Sequence, residues 1–287
     1  MIAVSQTGAV AGGHAAFGLG WTVMDCERIE RDCPQCGSRN HSDVPGYGRD
    51  GWTTVACDDC DFVFLSHAPR YEALSETLAW SKQFAIEKKA RRQRSPVVSW
   101  IDEKTRWRLH IARENEWDYI AEKVPAGRVL DVGCGAMNRV PDRFTPYGIE
   151  IEKAAAEVAD SLMRARGGAA VHAPAIEGLG SFEDDWFDGI IMRSYLEHEA
   201  APLEVLRVAA RKLRQGGAIY VKVPNFGTIN RMVRGVEWCG FRFPDHLNYF
   251  DLGSMRRMAA AAGLDFELRN TFTRYTNDNM HVFLTRP

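Results

Sequence analysis

The sequence has no apolar run long enough to span a bilayer, and it has almost no imbalance of charge. Its 287 residues carry 36 Lys and Arg against 38 Asp and Glu, a formal net charge of -2. The molecule as a whole is therefore no electrostatic nucleic-acid binder, and local patches have to be judged separately. The first 24 residues contain no charged side chain, yet Ser5, Gln6, Thr7, His14 and several glycines interrupt them, and the basic start of a signal peptide is missing. Residues 1–25 read as a mobile tail, and the expected compartment is the cytoplasm, with no membrane partner. A chain of this length holds one α/β domain of ordinary size plus something smaller.

Cysteine is sparse, and its seven copies are unevenly placed. Four form Cys33-Pro34-Gln35-Cys36 and Cys57-Asp58-Asp59-Cys60, two Cys-x-x-Cys knuckles separated by residues 37–56. Tetrahedral zinc held by four thiolates needs this kind of paired spacing, and a cytosolic setting disfavours disulfides. Between the knuckles Gly46, Gly48 and Gly51 suit turns and Trp52–Ala56 suits a strand, while Phe62–Leu65 follows the second pair. The expectation is a zinc ribbon of two hairpins over 26–70, with a structural Zn2+ supplying stability that so small a core lacks. Cys26, Cys134 and Cys239 read as packing residues or incidental thiols.

The next stretch, 71–124, reads as a helical linker or cap. From Lys82 to Arg113 there are ten Lys or Arg against three Asp or Glu, with Trp100 and Trp107 among them. A solvated helix face and a phosphate-binding face both fit that mixture. Ser95-Pro96 divides it into two helices, the second expected from about Val97 to Lys123, with Trp107 and His110 as packing residues or pocket lining.

The stretch Val129-Leu130-Asp131-Val132-Gly133-Cys134-Gly135 reads as a buried strand that turns sharply toward a ligand through two glycines. The dinucleotide fingerprint wants a third glycine three residues later, where Asn138 stands, so a nicotinamide cofactor is disfavoured. The Asp131 carboxylate instead suits a cationic ligand group such as the amine of S-adenosylmethionine. Glu150, at the end of the next apolar run, is placed to accept hydrogen bonds from ribose hydroxyls. Alternating strands and helices follow. Strands are expected at Arg128–Val132, Pro146–Glu150, Ala169–His172, Phe187–Met192, Ala218–Val223, Asp265–Thr273 and His281–Leu284, with a helix over Lys153–Arg166.

With these motifs in place, the chain from roughly Trp107 to the C-terminus resembles the class I S-adenosylmethionine-dependent methyltransferases. Phe187–Ile191 looks like their fourth strand, Tyr195–His198 like the segment after it, and Leu206–Gly217 like the helix and Gly-Gly turn before the fifth strand. The resemblance implies a Rossmann-like, seven-stranded, mostly parallel sheet over 125–287. It also implies cofactor binding by Asp131, Gly133, Gly135, Glu150, Ile151, Ala175, Ile176 and Arg193. An acid of the adenine pocket is absent from Ala173–Glu177 where the family places one, leaving backbone at Ala175 and Ile176 for that contact. Arg193 and Ser194 are expected to offer backbone near the methionine end. The Glu197-His198 pair resembles that of quinone-biosynthesis methyltransferases, some of which hold a divalent metal there. Their further acid is Ser194 here, so no catalytic metal is expected.

The aromatic stretch from Pro224 to Phe250 stands where this fold inserts a lid over its acceptor, and its Asp-His-Leu-x-x-Phe pattern resembles that of bacterial enzymes acting on sugars and small metabolites. His246 and His198 are the candidate bases. The implied reaction is methyl transfer to a hydroxyl of a small molecule. A ribosomal-RNA methyltransferase, for which the ribbon and basic helix would serve recognition, is the second reading, although the Asn/Asp-Pro-Pro-Tyr type of motif is absent at Arg193–Leu196. A non-catalytic cofactor-binding scaffold is the third.

Overall fold

A computed structural model describes residues 28–49, 51–69 and 115–287, with Gln93 and Trp100 singly between them. The tail over 1–25, most of the helical linker, Trp107 and His110 lie outside the described residues. The N-terminal part contains β1 (Arg28–Glu30), β2 (His41–Arg49), β3 (Trp52–Cys57), β4 (Val63–Leu65) and β5 (His67–Pro69), with β1 paired to β5 and β2, β3 and β4 in antiparallel succession. Gly46 and Gly48 do not make the expected turn. They lie inside β2, where the pairing with β3 slips between Asp43 and Gly48, and Gly46 at φ +80° accommodates the irregularity. Gly51, at φ +78°, occupies the hairpin turn.

The helices are α1 (Glu116–Lys123), α2 (Lys153–Arg164), α3 (Ala175–Gly180), α4 (Pro202–Lys212), α5 (Ile229–Arg234) and α6 (Leu252–Ala261). They accompany β6 (Arg128–Val132), β7 (Thr145–Glu150), β8 (Ala169–His172), β9 (Phe187–Arg193), β10 (Leu213–Pro224), β11 (Asn248–Tyr249), β12 (Asp265–Leu268) and β13 (Asn279–Thr285). Seven of these strands form one sheet in the order β12-β13-β10-β9-β6-β7-β8. The five strands from β10 to β8 run parallel, and β13 is antiparallel to both its neighbours. Near-continuous apolar runs such as Gly189–Met192 are what a parallel strand covered on both faces requires, and all four of these residues are buried. The expected Rossmann-like sheet is thus present.

Two boundaries differ from expectation. A helix continuing from Val97 would pass through Asn115, but Asn115 is extended and its side chain accepts from the Trp117 amide, so α1 starts afresh at Glu116. The strand expected to reach Thr273 stops at Leu268, because the Asn270 side chain donates to Asn279 O and accepts from the His281 amide, closing the hairpin to β13. The core also crosses the expected domain boundary. Cys33, Val55, Cys57, Phe62 and Phe64 of the N-terminal part share one buried cluster with Leu130, Leu196, Phe250 and Met255.

Candidate active site

The sheet order reverses between β6 and β9, and in open parallel sheets the crevice at such a point, beyond the carboxyl ends of the strands, takes ligands. There β6 ends and the chain turns through Gly133 at φ +74° and Gly135 at φ +63°. A Cβ on Gly133 would stand 3.1 Å from the Tyr195 ring, whereas one on Gly135 would meet nothing within 4 Å. Gly133 is required by its conformation and by the tyrosine above it, and Gly135 leaves bare backbone beside open space. The Gly133 amide donates to Ile149 O at 2.8 Å, and the Gly135 amide to Glu150 Oε2 at 2.8 Å. Glu150 Oε1 accepts from the Glu152 amide at 3.0 Å, so the acid ending β7 is fastened to the glycine turn of β6.

Asp131 is buried, and its Oδ2 lies 3.0 Å from Arg193 Nη2. Burial raises its carboxyl above the usual range, and the guanidinium pulls the other way. Arg193 lies over the Trp117 ring at 5.1 Å, so the side chain as well as the backbone of this residue belongs to the site. Ile151 is half-buried just beyond β7; Ala175 is buried at the start of α3, and Ile176 beside it is exposed. Ser194 follows at φ +50°, a strained value for a side-chained residue, with its amide held by Lys222 O at 2.8 Å.

The second half of the site lies where the segment after β9 meets the lid. His198 Nδ1 donates to Asp245 O at 2.8 Å and stands 3.0 Å from Asp245 Oδ1. Arg242 pairs with the same carboxylate. His246 Nδ1 donates to Gly240 O at 2.8 Å, and its ring meets that of His198 edge to face at 4.7 Å. In their neutral forms both rings therefore carry their lone pair on Nε2. Burial pushes His198 down, but the Asp245 carboxylate and then Glu197 reverse this and lift it to about 9. Asp245 is correspondingly held well below the usual carboxylate range. Burial and the neighbouring His198 push His246 well below the usual histidine value, which keeps it neutral. Glu197, 1% exposed, is raised by burial to about 7.

Among the described residues, no hydrogen-bond partner reaches His198 Nε2, His246 Nε2 or Glu197 Oε2, although all three atoms are buried. Glu197, His198 and His246 bring donor atoms within 4.8 Å of one another. The lid brings His246 beside Glu197 and His198, a convergence across 48 positions that spacing alone does not reveal. Asp245, Arg242 and the Arg193 side chain also escaped the sequence reading. Asp245 lies beside His246 in the chain, but only the fold turns its carboxylate to His198. His246 itself is 3% exposed and lies behind His198, whose side chain keeps 20% exposure.

The four cysteines gather as their spacing predicts. Cys33 Sγ and Cys60 Sγ are 3.6 Å apart, Cys36 Sγ and Cys57 Sγ 3.5 Å, and all four sulfurs lie within 4.8 Å of one another. Zinc bonded to sulfur at about 2.3 Å sets a tetrahedral edge near 3.8 Å, so the cage fits a metal of that size with little movement.

Comparison with known proteins adds to this geometry. The family described as Methyltransferase domain matches residues 101–268. The ubiquinone biosynthesis O-methyltransferase of Xanthomonas campestris pv. campestris (strain B100) is 28% identical over 130 residues, covering 41% of this chain and 52% of that protein. Its namesake from Ralstonia nicotianae is 29% identical over 188 residues, covering 58% of this chain and 76% of that protein. The chain spans about half the length of the first curated relative it matches. A SAM-dependent methyltransferase of solved structure from Archaeoglobus fulgidus has a TM-score of 0.45 and 16% identity, covering 64% of this chain and 94% of that one.

Proposed function

This chain belongs to the methyltransferase-domain family, and from that premise we propose that it moves a methyl group from S-adenosylmethionine to a hydroxyl of a small-molecule acceptor, a sugar or secondary metabolite. The observation that carries the reading is the clamp between Glu150 and the open glycine turn at the switch point of the sheet. The O-methyltransferase names of the curated relatives support oxygen as the atom methylated. Glu150 takes the ribose hydroxyls in this reading, Ile151, Ala175 and Ile176 flank the adenine, and Gly133 and Gly135 bring backbone close. The Asp131–Arg193 pair is complementary to a zwitterion, with the acid for an ammonium and the guanidinium for a carboxylate.

The bound cofactor supplies a methyl group on a sulfonium, and displacement from it depends on alignment more than on acid or base strength. The chain supplies a proton acceptor. Asp245 fixes the His198 tautomer, leaving Nε2 to take the proton of the acceptor hydroxyl as oxygen gains the methyl group, while Arg242 and His246 hold the pair in place. A second reading is favoured by the three unpartnered donors: Glu197, His198 and His246 hold a divalent cation of the kind that nitrogen and carboxylate ligands suit. The cysteines hold a structural zinc. No helix among the described residues is long and apolar enough to cross a membrane.

The test incubates the purified protein with methyl-labelled S-adenosylmethionine and, separately, a metabolite extract and ribosomal RNA, and follows the mass gained. Label in a small molecule is the expected result. Label in RNA would transfer the reading to nucleic acid, and cofactor binding with no label anywhere would leave a binding scaffold.

A further inference from the structure

The four-cysteine module does not project from the molecule. Its sheet is completed by a strand of the lid: β11 pairs antiparallel with β4, Asn248 opposite Phe64 and Tyr249 opposite Val63. Trp52, Leu65 and Ala68 pack in one buried cluster with Trp238, Phe241, Leu247 and Tyr249 of the lid. Phe62 and Phe64 enter the main core instead, with Phe62 meeting Phe250 at 5.3 Å. Both knuckles are also tied from outside. Arg257 of α6 donates to Cys60 O at 2.8 Å, and the Gln35 amide, suitably oriented, bridges Ser254 O and Arg257. The far end of β2 is fastened to the lid by Arg49–Glu237 and by Arg231 donating to the Tyr47 hydroxyl.

One side chain joins all three parts. Arg31, two residues before Cys33, is 7% exposed. Its guanidinium donates to Leu65 O of β4 at 3.3 Å, to Leu247 O and Asn248 Oδ1 of the lid at 3.0 and 2.9 Å, and to Ala200 O beyond His198 at 3.1 Å. Burial lowers its pKa, and Glu199 is the leading countercharge acting against that. The lid residues it grips are themselves bound to the His198 segment. The Leu247 amide donates to Glu197 O at 2.7 Å, and Asn248 Nδ2 donates to Leu196 O and Glu199 O at 2.8 and 2.6 Å. A planar guanidinium with five donors suits such a junction of carbonyls, and no other charged side chain could replace its fork.

We propose that the four-cysteine module is a wall of the acceptor site, and that Arg31 is the positioning residue through which its first knuckle holds the segment bearing His198. The metal cage then serves the reaction by fixing one end of this brace. The inner strands β3 and β4 are held between the lid and the main core, while β2 at the sheet's edge stays largely exposed. The assignment of His198 to the acceptor rests on the methyl-transfer reading; the brace itself does not.

Hydrogen exchange on the full chain, without acceptor or cofactor, tests the brace in Arg31→Met and Arg31→Lys. In Arg31→Met, amides over 196–199 and 246–250 are expected to exchange on the order of ten-fold faster, those over 129–135 and 147–150 to stay unchanged, and zinc content to be retained. Arg31→Lys should restore part of the protection, and stripping the metal from the unaltered chain with a chelator should loosen the same two segments first. With an acceptor in hand, Arg31→Met should raise its KM and lower kcat while cofactor affinity, read by calorimetry, stays within about two-fold. Unchanged exchange over 196–199, or equal acceleration over 129–135, would overturn the proposal, the first by removing the coupling and the second by reducing Arg31 to general stability. If no methyl transfer is found but the two segments loosen as described, the brace stands and the methyl-transfer reading alone falls.

Discussion

In the proposed site, the side assigned to the cofactor and the side assigned to the acceptor are built in opposite ways. The cofactor side comes mainly from one stretch, Asp131 to Ile151, with Ala175, Ile176 and Arg193 added from later elements, and much of it is backbone: positive-φ glycines, amides clamped to a carboxylate, and open space beside Gly135. The acceptor side comes from Arg31, Glu197, His198, Arg242, Asp245 and His246, brought together in a buried knot of charge. A turn of backbone tolerates water and needs only local geometry. A buried charge is costly unless every neighbour is correct, so it appears only where several elements meet. The first arrangement is suited to a ligand that comes and goes, and the second to a group that has to be held still.

The largest expected effect breaks the acceptor side at its four-cysteine end. Cys57→Ser should lower metal content from about one zinc per chain toward none, with a loss of several kcal/mol in stability, since a four-thiolate cage is folding energy for a small module. Elemental analysis and thermal unfolding check it, and full retention of zinc would refute the four-thiolate cage. Next comes the histidine. His198→Gln should lower turnover on the order of 100-fold or more while leaving cofactor affinity nearly unchanged.

The pH dependence of the unaltered protein sharpens the same point. A base acts when deprotonated, and the Asp245 carboxylate holds His198 at about 9, so turnover should rise with pH through a midpoint near 9 and level off above it. In Asp245→Asn that rise should move down toward the ordinary value of 6.5. A cation on His198 Nε2 would abolish the rise, which separates the two readings of the cluster. The smallest effect belongs to the cofactor side. Glu150→Ala should weaken S-adenosylmethionine binding by about 1.5–3 kcal/mol through lost charge-assisted hydrogen bonds, with acceptor KM little changed. Calorimetric affinity equal to that of the unaltered protein would refute the ribose assignment.

Much of the fold is legible in the sequence. The strand over Arg128–Val132 and that over Ala169–His172 have the expected bounds, and β9 and β13 extend only a little beyond theirs. These are apolar runs punctuated by glycine or acid, and parallel burial leaves them few alternatives. Misreadings came where a single polar side chain overrode a pattern. Asn115 caps the start of α1 within a stretch whose pattern predicts unbroken helix, and Asn270 bends the chain out of a strand. Gly46 and Gly48 looked like turn residues because glycine permits a bulge and a turn alike.

What the sequence by itself determined is therefore what depends on near neighbours in the chain. The glycine turn with its flanking acids follows from backbone conformational limits, and the gathering of the two cysteine knuckles follows from their paired spacing. The tertiary structure alone decided that Arg193 faces Asp131, that Asp245 orients His198, that His246 completes a donor set with Glu197, and that a lid strand closes the cysteine module's sheet. Such pairings join distant residues, and the bond from Arg31 to Asn248 spans 217 positions. No local preference encodes them. They form because the sheet and lid remove water around each charge, and the free energy of leaving it unpartnered selects the neighbour it must have.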